Sequence, residues 1–174
     1  MRAPIMTAAA VVLALALTAC SPAFNWRETV IEATQLSAMF PCKPEKAARQ
    51  VALGGGTVEL TMHHCDTEGV TAAVGHAPVS DPALAGPALA QWRVATLAAM
   101  RVKGSTQSAW VMERSSVLPQ ALVVEAAGTS SDGGPLVLKA AWFARGSEVY
   151  AALLYGPALS PEVAEVFFSG LRFR

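Results

Sequence analysis

Charged side chains are scarce in this sequence and carry no net charge: 13 Lys and Arg balance 13 Asp and Glu among 174 residues. The lack of a positive excess argues against a nucleic-acid-binding protein, which normally presents a basic face. Hydrophobic residues make up 53% of the chain, too many for a disordered protein. Beyond the N-terminus no apolar run approaches the roughly 18 residues of a membrane-spanning helix, which excludes a helical membrane bundle.

The motifs of common enzyme classes are also missing. No G-x-S-x-G nucleophile elbow occurs. Gly54-Gly55-Gly56-Thr57 lacks the lysine of a phosphate-binding loop, and the Gly- and Ser-rich segment 128–133 has the chemistry of a hairpin turn. The sequence therefore predicts no catalytic residues and no cofactor. A hydrolase or a metal-binding protein is kept as an alternative.

Residues 1–19 have the three-part layout of a secretory signal peptide. Arg2 provides a positive start, and Ile5 to Leu17 form a run of 13 residues without a charge. This run is shorter than the roughly 20 residues that a transmembrane helix needs, and Ser21-Pro22 breaks any continuation. We therefore expect an export signal rather than a membrane span.

The signal ends in Leu17-Thr18-Ala19-Cys20, which resembles the lipobox of bacterial lipoproteins. The resemblance implies cleavage before Cys20, acylation of Cys20 with palmitate-type chains, and a lipidated tether over residues 20–25. Two or more acyl chains anchor a protein stably, whereas one binds only marginally. Ser21 rather than Asp follows the cysteine, which by resemblance to enterobacterial sorting implies the outer membrane rather than the inner one. The alternative is ordinary cleavage after Ala23, with loss of Cys20.

Cysteine is limited to three residues. If Cys20 carries lipid, Cys42 and Cys65 remain, and an even remainder in an oxidising compartment indicates a disulfide between them. The alternative is two buried free thiols, because free cysteine often packs as a small hydrophobe.

Histidine is equally scarce, but His63-His64-Cys65-Asp66 is the densest cluster of metal-ligand types. Adjacent residues of a strand point to opposite faces, so His63 and His64 cannot easily share one ion. His63 and His76 are weak candidates for a copper or zinc site. The favoured interpretation is strand histidines beside a disulfide, because a disulfide-bonded cysteine is not a thiolate ligand.

Hydrophobic periodicity predicts many strands and two helices. Val58, Leu60 and Met62 alternate with polar residues, and a turn is expected over 66–69. If residue 65 pairs with residue 70 across this turn, Cys65 lies on the wetter face. Apolar residues at three- and four-residue steps predict a helix over 87–103 that ends at Gly104. A second helix is expected from Ser160-Pro161 to Gly170. The predicted strands and short apolar stretches are 26–31, 36–40, 48–53, 57–64, 70–76, 107–114, 121–128, 136–145 and 149–155.

The last two predicted strands barely alternate, so we expect a hairpin that is covered on both faces. Gly146-Ser147 fits a type II′ turn that pairs Phe143 with Tyr150. The two helices are the available covers. The sequence therefore predicts an α+β fold, with one domain over 26–174 in which an antiparallel sheet lies between helices as an α/β/α sandwich.

Several segments resemble a group of uncharacterised proteobacterial lipoproteins that share an Asn-Trp-Arg-Glu start, a Pro-Cys-Lys-Pro box and a later cysteine. These segments are FNWRETV (24–30), MFPCKPEKAARQVALGG (39–55), VELTMHHC (58–65) and LAQWRVATLAAM (89–100). The order of elements also resembles the Mog1/PsbP-like fold, which implies the same sandwich. Neither resemblance implies an activity, because a fold alone does not transfer function.

Together these features predict a non-enzymatic lipoprotein of the bacterial envelope, an accessory or binding module at the periplasmic face of the outer membrane. Its expected partners are the membrane, through the anchor, and an envelope protein, but no nucleic acid. The alternative is a carrier of a small apolar ligand, which would have a cavity with few polar groups between sheet and helix. The basic run of Lys43, Lys46 and Arg49 either touches lipid headgroups or forms a solvated surface.

Overall fold

The computed structural model describes residues 24–31 and 34–174, so the predicted signal peptide and Cys20 lie outside the described residues. Among the residues described, no helix is long and apolar enough to cross a membrane. The helices are α1 (Ala85–Ala99), which follows a 3₁₀ turn at Pro82–Leu84, and α2 (Pro161–Ser169). The strands are β1 (Arg27–Ile31), β2 (Leu36–Phe40), β3 (Glu45–Leu53), β4 (Gly56–Thr67), β5 (Val70–Pro78), β6 (Gly104–Ala109), β7 (Leu122–Thr129), β8 (Pro135–Arg145), β9 (Glu148–Gly156) and β10 (Arg172–Phe173).

Seven strands form one antiparallel sheet in the order β3-β4-β5-β9-β8-β7-β6. Its centre is the β8–β9 hairpin, where residues 140–144 and 149–154 are buried on both faces, as the lack of alternation predicts. The expected turn is confirmed, since Gly146 has a φ of 61°. Phe143 pairs with Tyr150, and their ring centroids lie 5.1 Å apart in a stacked arrangement.

Two hydrophobic cores lie on the two faces of this large sheet. On the α1 face, Leu89 and Trp92 of α1 pack in one core with Trp142 of β8. On the α2 face, Phe167 of α2 packs in the other core with Phe143 of β8. Successive strand residues point to opposite faces, so the strands β4, β5, β8 and β9 each supply buried residues to both cores.

A second, smaller antiparallel sheet of β1, β2 and β10 shares the α2 face with α2. Leu36, Phe40 and Phe173 are buried there. The predicted α/β/α sandwich of the Mog1/PsbP-like kind is therefore wrong. The molecule is mostly β, with 51% of the described residues in strands and 18% helical, and it has two antiparallel sheets and two helices.

Helix α1 ends earlier than its sequence predicts. Arg101, rather than Gly104, takes the left-handed conformation after the helix, with a φ of 47°. The chain leaves the helix here because it joins the sheet: the N–H of Lys103 donates to the carbonyl of Ala127 at 3.2 Å. Gly104 consequently begins β6, which starts three residues before the strand expected over 107–114 and already ends at Ala109.

The β4–β5 hairpin also differs from the expected register. Thr67 pairs with Val70, so the predicted pairing of residue 65 with residue 70 is wrong. The turn consists of Glu68 and Gly69, which have positive φ angles of 49° and 74°. Cys65 lies on the α2 face and is 5% exposed, so its predicted position on a wetter face is wrong as well.

Candidate functional site

The two cysteines expected to pair do meet in the structure. The sulfur atoms of Cys42 and Cys65 are 2.18 Å apart, and their Cα atoms are 5.9 Å apart. Cys42 follows β2 of the small sheet and Cys65 belongs to β4 of the large sheet. The pair therefore ties the two sheets together.

The candidate metal ligands His63 and His76 lie on one face of neighbouring strands, because His76 pairs with Thr61, two residues before His63. His76 is buried, and its Nδ1 lies 3.5 Å from Oε2 of Glu148. Within residues 24–31 and 34–174, no group of three or more His, Cys, Asp or Glu side chains is placed to hold a metal ion. The third histidine, His64, points to the opposite face and lines a groove.

An open groove of about 700 Å³ lies on the α1 face of the large sheet. Strand β4 supplies Leu60, Met62 and His64 to its floor, because alternate residues of a strand share a face. Neighbouring strands complete the floor with Ala47 and Arg49 of β3, Ala73 of β5, and Leu153 and Tyr155 of β9.

Helix α1 forms one wall of the groove. It presents the residues that recur at three- and four-residue steps, Trp92, Ala95, Thr96 and Ala99, and Met100 directly after the helix extends the wall. Gly75 of β5 lies beneath this wall, where an added Cβ would be 3.0 Å from both the indole of Trp92 and the methyl group of Met62. The absence of a side chain at Gly75 lets the helix approach the sheet closely.

Both halves of α1 are tied to the sheet. The side-chain amide of Gln91 accepts from the N–H of Gly54 and donates to the carbonyl of Ala52, both at 3.1 Å, at the β3–β4 turn. After the last turn, the carbonyl of Met100 accepts from the N–H of Thr129 on β7 at 3.0 Å. The helix thus crosses from the β3–β4 turn to β7 and leaves parts of β3, β4, β5 and β9 uncovered beside it. These contacts of α1 therefore define the groove.

Four polar side chains interrupt the apolar lining: Arg49, His64, Thr96 and Tyr155. In the part of the chain that the structure describes, none of the four has a side-chain hydrogen bond or an ion pair. Their polar atoms are consequently open to solvent or to a ligand. A concave apolar surface with a few polar groups is the usual composition of a small-molecule site.

Sequence patterns predict parts of this groove but do not indicate a site. The alternation of Leu60 and Met62 predicts one face of β4, and the apolar residues at three- and four-residue steps predict the helix that forms the wall. The missing information was the path of α1, which depends on contacts between residues far apart in the chain. The small side chains of Ala95 and Ala99 are the one local signal, since a helix face made of alanine leaves space above a sheet.

A scan against protein-family models, a search of curated proteins and a search of solved structures each find no match for this chain.

Proposed function

We propose that this protein is a lipid-anchored binding module of the bacterial envelope, without enzymatic activity, whose groove beside α1 holds an apolar ligand. The groove carries the proposal, because it encloses about 700 Å³ and has mostly Ala, Leu, Met and Trp side chains on its walls. Small-molecule sites typically span about 300–1,000 Å³. The proposal unites the two interpretations of the sequence, a binding module and a carrier of an apolar ligand.

Burial of hydrocarbon supplies the driving force for such binding. Each methylene removed from water contributes about 0.8 kcal/mol, so about ten methylenes contribute roughly 8 kcal/mol before the loss of ligand freedom is subtracted. Because Gln91 and the Met100 carbonyl fix α1 on the sheet, little further cost arises from rearranging the groove.

The sequence supports the proposed location at the periplasmic face of the outer membrane. The signal-like residues 1–19 and the lipobox that ends at Cys20 favour an exported, membrane-anchored protein. The Cys42–Cys65 pair at disulfide distance fits an oxidising compartment such as the periplasm. The same proposal includes an envelope protein as a partner.

Native mass spectrometry of the full chain, released gently from its own membranes, tests the proposal together with two helix variants. Ala95 and Ala98 are both exposed on α1, but only Ala95 lines the groove. Ala95→Trp fills the groove, and Ala98→Trp is the matched control. We expect the wild type and Ala98→Trp to carry an additional mass that is lost on denaturation.

In Ala95→Trp the ligand-bound fraction should fall by about tenfold or more, because displacing two methylenes at about 0.8 kcal/mol each already weakens binding by that factor. Circular dichroism of both variants checks that the fold is kept. The proposal fails if the wild type carries no additional mass, or if Ala95→Trp retains as much ligand as the control.

A further inference from the structure

Arg49 occupies an unusual position for a charged residue. It lies on the edge strand β3, pairs with Leu60 of β4 and lines the groove. The residues two positions before and after it, which share its face, are Ala47 and Val51. The guanidinium group is therefore the one permanently charged group among side chains that are otherwise mostly apolar.

No acidic side chain neutralises Arg49 among the described residues. Glu59 of β4 pairs with Gln50, so it points to the opposite face, and Glu45 lies four residues from Arg49, opposite His64. Other arginines form ion pairs with a carboxylate: Nη2 of Arg172 and Nη2 of Arg174 lie 2.7 and 2.9 Å from Oε1 of Glu28. Within the described chain, this charged residue of the groove lining therefore has no ion-pair partner.

From this charge and its apolar surroundings we infer that the ligand is a single-chain anionic amphiphile, with its carboxylate or phosphate head on Arg49 and its hydrocarbon chain along the floor of the groove. This inference rests on the proposed function. The planar guanidinium presents a fork of N–H donors that matches carboxylate and phosphate oxygens. The hydrocarbon chain then lies on Leu60 and Met62 of β4, Ala73 of β5 and Leu153 of β9.

The dimensions of the floor set the length of the chain. From β3 to β9 the floor crosses three strand spacings of about 4.8 Å, or about 14 Å in total. With carbon–carbon bonds of about 1.5 Å in a zigzag, an extended chain of roughly 11 carbons covers this distance. A C12 amphiphile is therefore a suitable probe.

The basic run noted in the sequence divides on the two faces of β3. Lys46 pairs with His63, whereas Arg49 pairs with Leu60, so the two side chains point to opposite sides of the sheet. Lys46 is exposed, as Arg49 is, and it does not line the groove. It therefore serves as a matched control for the loss of one positive charge from the same strand.

The test measures dissociation constants by native mass spectrometry of the full chain in an uncharged detergent, with dodecanoate, dodecyl phosphate and dodecan-1-ol as probes. In the wild type and in Lys46→Gln, we expect one or both anions to bind about tenfold more tightly than the alcohol, as a charge-assisted hydrogen bond provides. Arg49→Gln should reduce anion binding to the level of the alcohol, and Arg49→Lys should restore part of it. Tighter binding of dodecanoate indicates a free fatty acid as the source, and tighter binding of dodecyl phosphate indicates a phosphate ester.

Equal binding of the alcohol and both anions to the wild type, or unchanged anion binding in Arg49→Gln, overturns the assignment of the head group but leaves an apolar ligand in place. Failure of all three probes to bind at the groove overturns the proposed function as well. The same measurements on Ala95→Trp distinguish groove binding from binding elsewhere, because that variant should bind all three probes more weakly.

Discussion

Tyr150 is a buried residue whose surroundings change its acid–base behaviour. Its side chain is 1% exposed and stacks on Phe143 between the large and small sheets. Burial raises the pKa of Tyr150 to about 12, and a hydrogen bond with Thr34 opposes that change. The phenol is therefore held in its neutral form well above the pH at which an exposed tyrosine ionises.

This shift predicts a loss of stability in alkali. The unfolded chain releases the Tyr150 proton near pH 10, but the folded chain keeps it to about pH 12, so the stabilisation is complete below pH 10 and disappears between pH 10 and 12. Urea unfolding at pH 8 and pH 11 should show a loss that is about 1 kcal/mol larger in the wild type than in Tyr150→Phe. Equal losses in the two proteins would contradict the shifted pKa.

Residue-level patterns predicted some contacts and missed others. The Phe143–Tyr150 pair and the Cys42–Cys65 pair follow from turn chemistry and cysteine arithmetic, and the structure has both. The register around Cys65 was missed because Glu68 adopts a positive φ of 49°, a conformation that favours Gly, Asn or Asp. The sequence therefore predicts a turn that begins before the observed one at Glu68 and Gly69.

Elements with a clear start signal were predicted best. Helix α2 begins after Ser160, whose Oγ accepts from the N–H of Val163 at 3.2 Å, and it ends before Gly170, as expected. The end of α1 was missed because pairing of Lys103 with β7 stops the helix, and periodicity contains no information about that partner strand. The groove beside α1 was missed for the same reason.

The Cys42–Cys65 pair, which links the end of β2 to β4, is the contact between elements with the clearest expected effect on stability. Cys42 and Cys65 are 23 residues apart, and closing a loop of this size stabilises a fold by about 3 kcal/mol in the chain-entropy model. The double variant Cys42→Ala/Cys65→Ala should therefore lower the free energy of unfolding by about that amount in urea titrations.

Reductant provides the control for this prediction. It should lower the free energy of unfolding of the wild type to that of the double variant and leave the value of the variant unchanged. If the oxidised wild type and the variant unfold at the same urea concentration, the two cysteines do not form a stabilising disulfide.

At the scale of the whole molecule, the small sheet is what the sequence could not reveal. It joins β1 and β2 near the start of the described chain to β10 at residues 172–173, and Arg174 and Arg172 both contact Glu28 across that distance. Each of these strands is short, with five, five and two residues. Their pairing depends on the assembled core, so local propensity favoured helices as the covering layer, and the predicted sandwich was wrong.

The small sheet also determines where the predicted anchor joins the folded body. Phe24 and Trp26 pack against the core of the α2 face, and the N–H of Asn25 donates to the carbonyl of Pro41 at 2.9 Å. Only three residues separate Cys20 from Phe24 in the sequence. An acylated Cys20 would therefore hold the folded body close to the membrane, within about 14 Å of extended chain.

The last prediction concerns this anchor. Wild-type protein should incorporate labelled palmitate and stay with the membrane pellet after a high-salt wash, because several acyl chains anchor far more firmly than surface charges. Cys20→Ala should abolish the label and the salt-resistant attachment, whereas Cys42→Ala/Cys65→Ala should keep both. Label that persists in Cys20→Ala, or wild-type protein that begins after Ala23, would show that the resemblance to the lipobox is misleading. Binding of dodecanoate should survive in a folded Cys20→Ala chain, because the groove lies on the α1 face whereas Phe24 and Trp26 pack on the α2 face.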